Sequence, residues 1–168
     1  MQRIIVIMLA VIATATVAMG DSLPGDRVIV PGVRIGAAEL APADQGALMR
    51  ALGEPDRTDR NGDHDYYRYD AAQLTIDFDL VGDAPFEIST ASPTYRTKEG
   101  MGVGSNAAEI RAHFGAPICE GGSETGDEII AYDSIWFLLR RRTAVGIYIR
   151  AHINPGELHT GSIFCKQM

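Results

Sequence analysis

Gly32-Val33-Arg34-Ile35-Gly36 recurs as Gly100-Met101-Gly102-Val103-Gly104, and the segments downstream of the two copies also correspond. Helical segments end in Gly53-Glu54-Pro55 and Gly115-Ala116-Pro117, and Tyr69-Asp70 then matches Tyr132-Asp133 in the same order. Ordered anchors of this kind point to an internal duplication. The expected organisation is a short N-terminal segment, 21–31, then two repeats, 32–99 and 100–168, the second carrying a C-terminal tail.

Local chemistry gives each repeat a helix and then strands. Ser105 suits an N-cap, Ala107, Ile110 and Phe114 fall at helical spacing, and Gly115 with Pro117 stops the run. In the first repeat Pro42 suits a first turn, and Ala47, Leu48, Ala51 and Leu52 form an apolar stripe ahead of Gly53. After each helix the period changes to two. Leu74, Ile76, Phe78 and Leu80 alternate with Thr75, Asp77 and Asp79, and Val145, Ile147 and Ile149 with Gly146, Tyr148 and Arg150. Ile135 to Leu139 is apolar on both faces, which predicts a central or doubly covered strand. Asn61-Gly62, Val81-Gly82-Asp83 and Arg141-Arg142-Thr143 are the expected hairpin turns. The expected class is therefore α+β: two tandem repeats, each a short helical segment followed by antiparallel strands, with the helices packed on one face of the sheet.

Gly102-x-Gly104-Ser105, a short helix ending Phe114-Gly115-x-Pro117, and then Tyr132 with antiparallel strands together resemble the repeat of small envelope proteins. Residues 32–150 are similar in plan to the SmpA/OmlA family of outer-membrane assembly lipoproteins and to the tandem-repeat fold of the β-lactamase-inhibitor-protein family. Tyr95-Arg96-Thr97-Lys98-Glu99-Gly100 resembles uncharacterised exported bacterial proteins. The resemblance implies an exported bacterial protein and transfers no contact residue.

Residues 1–20 carry the parts of a signal peptide: Arg3, the apolar run Ile4 to Ile12, and small Ala18 and Gly20 before Asp21. Thr14 and Thr16 interrupt the run short of the roughly 20 apolar residues that a membrane helix needs. No cysteine stands at the junction to take a lipid, so the cleaved chain is expected to be periplasmic or secreted, with no integral membrane insertion. Cys119 and Cys165 are the chain's only two cysteines, too few for a thiolate metal scaffold. In an oxidising compartment they are expected to form a disulfide, which stabilises by about 4 kcal/mol on a chain-entropy estimate.

Charge narrows the partner class. The chain has 15 Lys+Arg against 22 Asp+Glu, a net charge of −7, and loss of Arg3 makes it one unit more negative. Such a chain is not built to neutralise nucleic-acid phosphates. Asp56 to Asp83 holds eight Asp against three Arg, whereas Ile135 to Arg150 holds four Arg and no acid. An acidic patch of this kind can steer a protein to a basic partner surface, while Arg140, Arg141 and Arg142 suit either a hairpin tip or an anionic contact. Tyr66 and Trp136 each sit beside another aromatic, in Tyr66-Tyr67 and Trp136-Phe137, so one of each pair points away from the main core and becomes a candidate recognition residue.

The sharpest chemical cluster is Asp59, Asn61, Asp63 and Asp65 with Asp70, which imitates the spacing of a calcium loop. His64 stands where that loop requires glycine, and Asn61-Gly62 is an ordinary turn on its own. Neither H-E-x-x-H nor G-x-S-x-G occurs, and no catalytic constellation is visible. The expected function is a small exported non-enzymatic interaction protein with a protein partner and no required cofactor. A calcium- or small-ligand-binding module is the alternative, and an envelope hydrolase the third reading.

Overall fold

The computed structural model describes residues 26–41, 44–79, 84–122 and 127–153, and the backbone of 159–160, 163–164 and 166–167. The signal peptide, Pro42, the Val81-Gly82-Asp83 turn and Cys165 lie outside the described residues.

Strands β1 (Val28–Val30), β2 (Arg34–Ile35) and β3 (Ala38–Glu39) precede helix α1 (Gln45–Leu52). A four-strand meander comes next: β4 (Arg57–Asn61), β5 (His64–Tyr69), β6 (Leu74–Asp79) and β7 (Pro85–Thr90). After β8 (Arg96–Thr97) and α2 (Ala107–Phe114) comes a second meander, β9 (Cys119–Gly122), β10 (Asp127–Ala131), β11 (Ile135–Arg140) and β12 (Thr143–Ile149). Three short strands close the chain: β13 (His159–Thr160), β14 (Ile163–Phe164) and β15 (Lys166–Gln167).

The last strands of the two meanders pair with each other. β12 runs antiparallel to β7, with Ile147 opposite Thr90 and Ile149 opposite Ile88. The result is one nine-stranded antiparallel sheet in the order β15-β9-β10-β11-β12-β7-β6-β5-β4. This corrects the expected α+β class and its tandem helix-plus-sheet repeats: the protein is mostly sheet, and the two meanders share one sheet rather than forming two helix-on-sheet units. There are two physical reasons. Gly53 at φ +85° and Gly115 at φ +80° end each helix after eight residues, because a left-handed residue terminates the helical hydrogen bonding. The apolar faces of β7 and β12 are also continuous when those strands pair, which buries Ile88, Ile147 and Ile149 completely.

The core is shared in the same way. Ile29, Ile35 and Ala38 from the small sheet β3-β2-β1-β8, Leu48 and Leu52 of α1, and Ala107 and Ile110 of α2 pack into one cluster. The cluster continues through Leu74, Ile76 and Phe137 on one face of the long sheet. Asp44 caps α1, accepting from Ala47 N at 2.6 Å. Asn106, rather than Ser105, caps α2, and Glu109 closes a capping box; Ser105 is buried, its hydroxyl accepting from Gly102 N at 3.1 Å. The Tyr69 and Tyr132 hydroxyls donate to the carbonyls of Gly53 and Gly115 at 3.2 and 3.5 Å, so each Tyr-Asp anchor ties a helix end to the sheet. Among the described residues, no helix is long and apolar enough to cross a membrane.

Candidate functional site

The face of the long sheet turned away from this core differs between the meanders. Cross-strand register sets Arg57, Arg68, Thr75 and Ser89 of the first meander in one row with Tyr148, Trp136, Ala131 and Cys119 of the second. On the second meander this face is closed: Cys119, Ile129, Ala131, Trp136 and Ile153 form a separate apolar cluster, and β14 lies against β9 and β10. On the first meander it stays open, with all of β4 exposed and most of β5 half-buried.

A charged floor lies where the two regimes meet. Asp77 on β6 faces Glu87 on β7, and Tyr66 on β5 faces Asp77. Glu87 is 9% exposed and accepts from Arg150 Nε at 2.7 Å and from Trp136 Nε1 at 3.1 Å. Burial pushes its carboxyl above the usual range, against the pull of Arg150 and Trp136. Asp77 is likewise raised by burial, while His64 Nδ1, 2.8 Å away, works in the opposite direction. Burial, with the charges of Asp77 and Glu87, also raises the Tyr66 phenol. A register shift between Asp77 and Phe78 irregularly aligns β6 with Pro85-Phe86-Glu87. Phe86 emerges there 36% exposed, with the Arg150 guanidinium 4.3 Å from its ring centroid and the His64 ring 5.5 Å away.

Beside this floor is a cavity of about 290 Å³, bordered by Arg57, Arg68, Thr75, Ser89, Gly146 and Tyr148 among others. Gly146 makes room for the Tyr148 ring on its border, since a Cβ there would stand 3.0 Å from that ring. Tyr148 stacks on Trp136 at 3.6 Å and 8°, and burial with the Glu87 charge pushes its phenol up to about 12. Neither Asp77 nor Glu87 borders the cavity.

The residues singled out in the sequence are distributed rather than gathered. Tyr66 lies on the open face, while Trp136 is 2% exposed and serves as the wall between the two regimes. Arg140 pairs with Asp127 at 2.9 Å at the far end of β11, and Arg141 and Arg142 form the exposed tip beyond it. The five calcium-type residues do not converge. Asp59 and Asp65 are on opposite faces of the β4–β5 hairpin, since Asp59 faces Tyr66 and Asp65 faces Arg60. Asp59, Asp65 and Asp70 each pair with an arginine, respectively Arg68, Arg60 and Arg57, all at 2.7 Å. Among the described residues no group of three or more His, Cys, Asp or Glu is placed to hold a metal ion. Much of the acidic stretch is thus engaged in exposed ion pairs rather than presented as bare charge. Asp77, Phe86, Glu87 and Arg150 do not stand out by sequence. Asp77 reads there as water-facing, and the Glu87–Arg150 pair exists only once β7 meets β12.

No family model matches the chain, and no curated protein matches its sequence. The fold does have solved counterparts. A DUF4309 family protein (YjgB) from Bacillus subtilis superposes with a TM-score of 0.51 at 18% identity, over 71% of this chain and 88% of that one. An extracellular protein containing an SCP domain from Bacillus anthracis gives 0.48 at 13% identity, over 66% of this chain and 44% of that one. A cysteine-rich secretory protein (SAV1118) from Staphylococcus aureus gives 0.48 at 12%, over 77% and 50%. The chain thus spans half or less of the latter two proteins. The likeness to YjgB is one of fold: a predominantly β protein built on a long antiparallel sheet.

Proposed function

We propose that this is a small exported, non-enzymatic binding protein that engages a protein partner through the open face of its first meander. One observation carries the reading. The same sheet face is closed by apolar contacts on the second meander and left open on the first, where Tyr66 and Phe86 stand among paired charges. Aromatic rings over a desolvated ionic floor are the kind of anchor that dominates protein interfaces. The calcium alternative lacks comparable support because Asp59 and Asp65 point apart, and the hydrolase reading because Asp77 and Glu87 lie outside the cavity.

Affinity capture from envelope extract of the source organism is the test. The wild-type chain is expected to retain a reproducible partner that a folded Tyr66→Asp/Phe86→Asp variant loses. Turnover of an envelope substrate, with capture indifferent to those two changes, would sink the proposal.

The Cys119–Cys165 disulfide belongs to the same reading. Cys119 is fully buried in β9, β15 pairs with β9 so that Gln167 stands opposite Cys119, and β14 lies against β9 as well. The chain on both sides of Cys165 therefore runs along the strand that holds Cys119. Thiol labelling of the exported protein under denaturing, non-reducing conditions is expected to find no reactive thiol, and two would refute the bridge.

A further inference from the structure

β4 is the outermost strand of the long sheet, and all five of its residues are exposed. Among the described residues, no strand pairs with its free edge. Its ladder with β5 begins at the two-residue Gly62-Asp63 turn, with Asn61 opposite His64, Asp59 opposite Tyr66 and Arg57 opposite Arg68. In such a hairpin the residues flanking the turn, and every second one beyond, exchange hydrogen bonds with the partner strand. Asn61, Asp59 and Arg57 therefore direct their N–H and C=O groups inward, and Thr58 and Arg60 direct theirs outward. An edge of this kind is a template for another strand, and its side-chain charges restrict which strand fits.

Within β4, Arg57-Thr58-Asp59 is charge-complementary to itself. Read backwards about Thr58, each acid meets a base. A two-fold antiparallel pairing must match outward-directed residues with outward-directed residues, and three such registers, centred on Thr58, Asp59 and Arg60, oppose more than one residue of β4. Centring on Asp59 sets Asp59 against Asp59 of the second copy, and centring on Arg60 sets Arg60 against Arg60. Centring on Thr58 opposes Arg57 to Asp59 on either side of the two-fold axis, with no like charges facing. We infer that β4 is a self-recognition edge, through which two copies of this chain pair about Thr58 and continue the long sheet across both. The present partners of these side chains, Asp70 for Arg57, Arg68 for Asp59 and Asp65 for Arg60, form exposed pairs whose charges can be shared with a second copy. A single pair of short charged strands makes a small contact, so the association is weak and salt-sensitive.

Sedimentation of the full exported chain at rising concentration, in low and high salt, tests this. A dimer is expected at high concentration in low salt, and it weakens as salt is added. Thr58→Pro removes the outward N–H and leaves the inward ladder intact, so it is expected to abolish the dimer while the thermal unfolding transition persists. Asp59→Arg alone, or Arg57→Asp alone, brings like charges together and weakens association about tenfold. The double variant Arg57→Asp/Asp59→Arg exchanges the signs and is expected to recover it. A chain that stays monomeric at every concentration overturns the inference. So does a dimer that survives Thr58→Pro, or a double variant no better than the singles.

Discussion

The two meanders share a strand plan and differ in what covers them. In the second, β11 is buried on both sides: Ile135, Phe137 and Leu139 face the main core, and Trp136 faces the smaller cluster. In the first, β5 has only one committed side, and its other side carries Tyr66, His64 and Arg68. The same row of the sheet passes from Arg57 and Arg68 at one end to Ala131 and Cys119 at the other. Stability and recognition are thereby divided between halves of one hydrogen-bonded surface. The division falls at Trp136, whose ring closes the apolar side while its N–H reaches the ionic side.

If that division is real, matched substitutions on the two sides must have unequal costs. Trp136→Ala is expected to destabilise by about 4 kcal/mol, since it empties a fully enclosed site and removes a donor from Glu87. Tyr66→Ala is expected to cost about 1 kcal/mol or less, because its site is open to water. Urea unfolding midpoints compare them directly, and equal losses would erase the distinction. Ion pairs sharpen the same contrast. Arg150→Ala leaves Glu87 buried without its cation and is expected to cost about 3 kcal/mol, with Glu87→Gln in the same chain recovering part of the loss. Arg60→Ala, on the exposed hairpin, is expected to move the midpoint scarcely at all.

Each of these contrasts rests on something that local sequence carries only in part. Period-two alternation identifies β6 and β12, and the two-faced apolar run Ile135 to Leu139 correctly implies that β11 is covered twice. Gly53 and Gly115 mark the helix ends because the left-handed conformation is written in residue type. The cap of α2 falls one residue later than Ser105, at Asn106; both residue types cap well, and Glu109 three residues on favours Asn106. What alternation cannot carry is the β7–β12 pairing. A period of two tells which side chains share a face but not which distant strand lies alongside. The expected tandem helix-plus-sheet arrangement fails for that reason. The ionic floor is hidden from sequence on the same ground, because Glu87 lies on one meander and Arg150 just beyond the other. Asp77 reads as water-facing from its strand alone, yet it is 7% exposed beneath neighbours that other strands supply.

The floor also has a pH signature opposite to that of the exposed hairpins. Burial raises the carboxyls of Asp77 and Glu87 above their ordinary values of 3.8 and 4.5. The folded chain therefore holds protons at pH values where the unfolded chain has released them. Folding takes up protons in that window, so these groups make stability fall as pH rises from the ordinary carboxylate range through the raised values. Asp65 and Asp127, held below their ordinary value by Arg60 and Arg140, act with the opposite sign from half-buried positions on the hairpins. Stability measured by denaturant titration across this range is expected to slope downward with pH, and Glu87→Gln to flatten the slope. An unchanged slope in that variant would remove Glu87 as its source.

The smallest contrast is between two hairpin turns. In the first meander Gly62, at φ +61°, takes the left-handed position of the β4–β5 turn, where a residue without Cβ meets no steric penalty. In the second, Arg141 and Arg142 hold φ of +51° and +64° at the β11–β12 turn, a conformation that suits Asn-Gly far better than two arginines. The strain persists because the turn is braced from outside: Ala107 N donates to Arg142 O at 2.9 Å, and Ala144 N to Ser105 O at 2.9 Å, which pins the tip to the start of α2. Relief of that strain by Arg141→Asn/Arg142→Gly is expected to stabilise the fold by about 1 kcal/mol. Gly62→Ala, the reverse change in the other hairpin, is expected to destabilise by about 1 kcal/mol, although a Cβ there meets no atom within 4 Å. Opposite signs in thermal unfolding would show that backbone conformation, rather than contacts, sets the cost at both tips. A loss of stability in the Asn-Gly variant would mean that the two arginines contribute more through their side chains than their backbone costs.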